Sequence, residues 1–193
     1  MSKNTSTKGL EPVIEEFQKI FKPLSRETSD EFQPNLTEQN QLYILAKDII
    51  DRLSPETLAS MHKKSNHFVR KLTNVLGYFD DKEYIIKLGL LYERLGDYSG
   101  AKQLYLFSKK HGEIENFISR SIQIPQAIEE GVDAIRGLMK LYEQENHSRP
   151  VGLIEAAYNR AIGFENYDLA LNLAYLINDA WRKDEALRLK IRK

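Results

Sequence analysis

The stretch KEYIIKLGLLYERLGDYSGAKQLYLFSKKHGE, residues 82–113, decides the fold. Ile85, Leu88, Gly89 and Tyr92 recur at helical spacing and share one face of a helix that runs to about Arg94. Leu95-Gly96-Asp97-Tyr98 then makes a turn. A second helix follows from about Tyr98 to His111, with Ala101, Leu104, Tyr105 and Ser108 on one face. Gly89 and Ala101 carry little or no side chain, so two helices can approach closely there, with Tyr92 and Tyr105 filling the space beside them. Gly96 supplies the positive φ that a tight helix–helix turn asks for.

Working outward, the same signals continue at lower density. Leu10, Val13, Ile14, Phe17, Ile20, Phe21 and Leu24 define a short amphipathic helix, with Pro12 near its start and Pro23 at its stop. The flexible tail is residues 1–9, and a polar linker closes the 10–36 segment. Leu42, Leu45, Ala46, Ile49, Ile50 and Leu53 form a further stripe with Thr37 as N-cap. Ser54-Pro55 closes that helix and opens the next, whose stripe runs from Leu58 to about Phe79. Asp80-Asp81 suits a helix N-terminus, because carboxylates favour the positive end of the helix dipole.

Beyond Gly112, Glu115–Ile124 reads as helix, Pro125 interrupts it, and Ala127 to Tyr142 carries the next stripe. Gly131 and Gly137 weaken that helix or permit close helix contacts. Ser148 caps a helix carrying Val151, Ile154, Ala157, Tyr158 and Ala161. A turn at Gly163–Asn166 leads to a stripe from Leu169 to Ile177 that Trp181 ends. Lys183–Lys193 makes a last short helix. About eight or nine helices are expected in all.

Residues 82–113 resemble a tetratricopeptide repeat, a helix–turn–helix unit of about 34 residues. Leu88-Gly89, Tyr92, Gly96-Asp97-Tyr98, Ala101 and Tyr105 carry the resemblance, while Ile85, Ser108 and Glu113 depart from the pattern. Glu165-Asn166-Tyr167-Asp168-Leu169-Ala170 echoes Gly96-Asp97-Tyr98-Ser99-Gly100-Ala101 at an offset of 69 residues, close to two periods. This extends the resemblance weakly over 115–184 and assigns structural roles to Tyr167 and Ala170. A degenerate unit at about 115–148 fills the gap, with Ala134 near its small-residue position.

The resemblance implies an all-α fold of antiparallel hairpins stacked as a short, right-handed α-solenoid. Residues 37–193 would form the helical-repeat domain. It also implies a groove, lined by first helices, that takes a peptide or helix of a partner. Glu83, Ile86, Leu90 and Glu93 fall on that face. They are apolar or acidic where the best-known version of the groove holds Lys, Asn and Arg. An apolar or basic ligand is therefore expected rather than a peptide carboxylate.

Composition narrows the classes of function. The chain has 193 residues, 41% hydrophobic, with Lys+Arg equal to Asp+Glu at 28 each. No global charge draws it to nucleic acid or an anionic membrane. Basic clusters at Lys63, Lys64, Arg70 and Lys71 and at Arg182–Lys193 lack the aromatic interleaving of a nucleic-acid stripe. With no cysteine, disulfides, thiolate metal sites and cysteine nucleophiles are excluded. No P-loop, HExxH, GxGxxG or GxSxG motif occurs. His62, His67, His111 and His147 are scattered, and the spacing of the first two disfavours joint metal ligation. No apolar run is long enough for a membrane span, and a cytoplasmic address is expected. The expectation is a protein–protein interaction module, an adaptor, co-chaperone or assembly factor, without catalytic residues, cofactor or metal. The alternatives are a nucleic-acid-associated regulatory module and an enzyme with a dispersed active site.

Overall fold

A computed structural model describes residues 9–24, 36–64 and 66–192, and among them every regular element is an α-helix, 11 in number. The tail expected at 1–9 and the linker before Leu36 lie, apart from Gly9, outside the described residues, as does Ser65. Among the described residues no helix is long and apolar enough to cross a membrane. The chain divides into two compact units, Met1–Asp97 and Tyr98–Lys193, and the division falls inside the stretch 82–113.

The first unit holds α1 (Glu11–Leu24), α2 (Leu36–Arg52), α3 (Pro55–Lys64), α4 (Asn66–Tyr78) and α5 (Lys82–Arg94). Helix α2 is its axis, packing against α1, α4 and α5. Leu42, Ala46, Ile49 and Ile50 recur at helical spacing and are buried. The amphipathic α1 docks on its own unit. Phe17 is buried with its ring edge-on to Phe68 at 5.6 Å, and Lys71 Nζ lies 4.9 Å from the centre of the Phe21 ring. One local expectation is corrected. Thr37 is not the cap of α2, which already begins at Leu36. The stripe expected from Leu58 to Phe79 runs through α3 and α4, with Leu58, Phe68, Val69, Leu72, Val75 and Leu76 buried. Ser54 does cap α3, its Oγ accepting the Thr57 N–H at 3.2 Å.

The second unit holds α6 (Tyr98–Ser108), α7 (His111–Ser121), α8 (Ile128–Gln144), α9 (Val151–Gly163), α10 (Tyr167–Leu176) and α11 (Ala180–Ile191). Helix α8 packs on α6, α7 and α9, and α10 lies against both α9 and α11. The two glycines of α8 serve close approach. A Cβ on Gly137 would stand 2.5 Å from Leu106 Cδ2, and one on Gly131 would stand 3.0 Å from Ile122 Cγ2. Ser148 is exposed and does not cap α9, whose N-cap position is Pro150. Helix α7 starts at His111, earlier than the expected Glu115.

One joint recurs through both units. A helix ends on a residue with positive φ, and the next N–H reaches back to the carbonyl five residues earlier. Asp80 (φ 52) precedes Asp81 N–H→Leu76 O at 2.9 Å. Gly96 (φ 76) precedes Asp97 N–H→Tyr92 O at 3.0 Å, and Glu165 (φ 56) precedes Asn166 N–H→Ala161 O at 2.9 Å. Asn178 (φ 54) precedes Asp179 N–H→Ala174 O at 3.0 Å. The same residue then caps the following helix where Asp81 accepts from Tyr84 N–H, Asn166 from Leu169 N–H and Asp179 from Arg182 N–H. Two residues thus end one helix and begin another.

Candidate functional site

The residues given structural roles behave as packing residues. Leu88, Gly89, Tyr92, Ala101, Tyr105 and Ala170 are buried, and Tyr98 and Tyr167 are half-buried. Burial, with the nearby Asp97 carboxylate, pushes the Tyr92 hydroxyl up to about 12. Tyr105 stacks on Phe117 at 5.1 Å and its hydroxyl accepts from Arg120 at 3.2 Å. The proposed groove residues fare unequally. Glu83 is exposed and Leu90 is 39% exposed, but Glu93 is half-buried and Ile86 is only 9% exposed.

Three large apolar side chains in solvent lie elsewhere, on α11. Trp181 is 68%, Leu187 41% and Ile191 83% exposed. At about 100° per residue these three fall within a third of a turn of one another, on the side away from the buried Ala186. Trp181 therefore does not end the α10 stripe, as its spacing from Ile177 suggests. The chain reverses at Asn178-Asp179 between them. Other side chains of α11 tie it to the rest of its unit. The Arg182 guanidinium meets Asp179 at 2.7 Å and Glu155 at 3.0 Å, and the buried Tyr158 donates its hydroxyl to Glu185 at 2.7 Å. Burial and that carboxylate push the Tyr158 hydroxyl well above its usual range. Lys183 Nζ sits 4.6 Å from the centre of the exposed Tyr175 ring on α10, extending the surface.

A second cluster joins residues that looked scattered in the sequence. His111 is the first residue of α7, while Glu145 and His147 follow the end of α8. The packing of α7 on α8 brings the two ends together. Asn146 (φ 57) lets His147 N–H return to Tyr142 O at 2.8 Å, which turns the His147 ring back toward the helix. Glu145 Oε2 is 3.3 Å from His111 Nε2 and 3.5 Å from His147 Nε2. The three ligand-type atoms lie within 4.8 Å of one another. Tyr142 supports both imidazoles, with its ring centre 4.9 Å from that of His111 and 5.3 Å from that of His147. Its hydroxyl donates to Glu115, and that bond, with burial, pushes Tyr142 up to about 12. The expectation that the histidines are scattered is thus corrected for His111 and His147, and their one sequence signal was position, at two helix ends.

No family model, curated protein or solved structure matches the chain.

Proposed function

We propose that the protein is a tetratricopeptide-like interaction module that binds another protein, with the outer face of α11 as its principal contact. What carries this reading is the exposure of Trp181, Leu187 and Ile191 along one helix that Arg182 and the Tyr158–Glu185 bond hold in place. Large aromatic and aliphatic side chains on a rigid support lose little conformational freedom on binding, which is why such residues dominate interface energetics. The rim selects the partner. Arg182 is paired inward, Arg188 pairs with Asp184 and Lys190 with Asp168, and Lys183 and Arg192 add positive charge to the rim. An amphipathic helix with acidic flanks complements that surface. Leu90 on α5 offers a smaller apolar contact, and the acidic Glu83 beside it favours a ligand of opposite charge.

The test places a photo-cross-linking residue at position 187 in cells and compares the native background with Trp181→Ser and Ile191→Ser. The expected result is a discrete cross-linked partner protein lost in both variants while circular dichroism stays native. Cross-links unaffected by either substitution, or formed only to a second copy of the chain, would refute the assignment. Leu90→Glu serves as the comparison: loss of the partner there alone would move the contact to α5.

A further inference from the structure

We infer that His111, Glu145 and His147 form a binding site for a divalent transition-metal ion of the zinc class. Two imidazole nitrogens and one carboxylate are the donor set that suits zinc, copper, nickel or cobalt. Magnesium and calcium prefer all-oxygen surroundings. The spacing fits. Zinc holds nitrogen and oxygen ligands at about 2.0–2.1 Å, and a tetrahedral arrangement then separates neighbouring ligand atoms by about 3.3 Å. Glu145 Oε2 stands 3.3 Å and 3.5 Å from the two Nε2 atoms, and all three ligand atoms lie within 4.8 Å of one another, so two of the three separations already match.

A second observation points the same way. His111 Nε2 is buried and has no hydrogen-bond partner, although the Glu145 carboxylate is near enough for an ion pair. A buried ring nitrogen left in that condition is costly, and a metal ion satisfies it without requiring the imidazole to carry charge. The supports are in place too. Tyr142 packs on both rings and the Asn146 turn fixes the position of His147, which limits the freedom the ligands must lose. Glu145 and His147 are exposed, so the ion can enter from solvent, and three protein ligands leave a fourth position for water. The ion would clasp the start of α7 to the turn after α8.

The experiment is a calorimetric titration of untagged full-length protein with ZnCl2 in a non-chelating buffer, with MgCl2 as control. Native protein is expected to bind one equivalent of zinc and no magnesium. His147→Ala and Glu145→Gln should weaken zinc binding roughly 100-fold or more, since even groups that only orient metal ligands contribute 10–100-fold. Zinc should also raise the thermal midpoint of the native protein and leave that of His147→Ala unchanged, while circular dichroism confirms that the variant is folded. Absence of zinc binding to the native protein would overturn the assignment. So would binding that survives both His111→Ala and His147→Ala, or that disappears only in a His62→Ala/His67→Ala double variant.

Discussion

The joints at Asp80-Asp81 and at Glu165-Asn166 share one backbone and differ in what they hold. In both, a non-glycine residue adopts positive φ and the next N–H returns 2.9 Å to a carbonyl of the closing helix. In both, a side-chain oxygen of the second residue then accepts the N–H of the third residue of the new helix at 3.2 Å. Asp81, however, is a half-buried carboxylate whose other oxygen accepts from Tyr43 Oη at 2.6 Å and faces Lys47 Nζ at 3.3 Å, both on α2. Asn166 carries no charge with which to recruit a cation. Reversing the chain therefore needs only local chemistry, and charge at the same position adds a tie across the unit.

Removing the two caps separates those contributions. Asp81→Ala should cost about 2 kcal/mol, from a lost cap and the lost hydrogen bond from Tyr43, at about 1 kcal/mol each. Asn166→Ala should cost about 1 kcal/mol, the cap alone. Urea unfolding gives the sizes and amide exchange gives the places, with α2 and α5 losing protection together in Asp81→Ala. Equal losses in the two variants would show that the tie to α2 contributes nothing.

Acid provides a gentler break. Burial raises the Asp81 carboxyl, but the Tyr43 hydroxyl, the Tyr84 N–H and Lys47 outweigh it and hold the group below its ordinary value. A carboxyl depressed in the folded state contributes stability that is fully present above its unfolded pKa of about 3.9 and is lost as pH falls through the lower folded value. Asp51, held down by Lys87 and Tyr84 against its own desolvation, acts with the same sign. Exchange protection in α2 and α5 should thus fall below about pH 4, and Asp81→Asn should flatten that fall. The same profile in native and Asp81→Asn protein would assign the acid sensitivity to other carboxylates.

These joints also explain what the sequence discloses. Asp80-Asp81 and the turn at Gly163–Asn166 are legible because their side chains are cap and turn formers placed between periodic apolar runs. The burial of Gly89, Ala101 and Ala170 follows from the same periodicity. Trp181 misleads because it stands four residues after Ile177, which imitates one continuous helix face, whereas a reversal at Asn178-Asp179 intervenes. Ile86 misleads differently: a position inferred to line a groove is almost covered. The histidine cluster is hidden for a third reason. His111 and His147 are distant along the chain, and only the packing of α7 on α8 makes neighbours of their ends. Periodicity reports which face a residue occupies, never which helix end another element brings beside it.

The smallest effect tests the most local part of the comparison. Gly96 and Glu165 occupy equivalent joints at φ 76 and φ 56, and side chains other than glycine pay about 1–2 kcal/mol for that conformation. A Cβ on Gly96 would meet nothing within 4 Å, so Gly96→Ala should destabilise by about 0.5 kcal/mol, the dihedral cost less the roughly 0.5–1 kcal/mol by which alanine stiffens the unfolded chain. Glu165→Gly relieves the same strain but loosens the unfolded chain by roughly 0.5–1 kcal/mol, leaving a net gain of about 0.5 kcal/mol. Thermal midpoints should therefore move in opposite directions. Were Glu165→Gly to lower the midpoint, the Glu165 side chain would be contributing more than its backbone strain costs, and the two joints would be alike in geometry but not in energy.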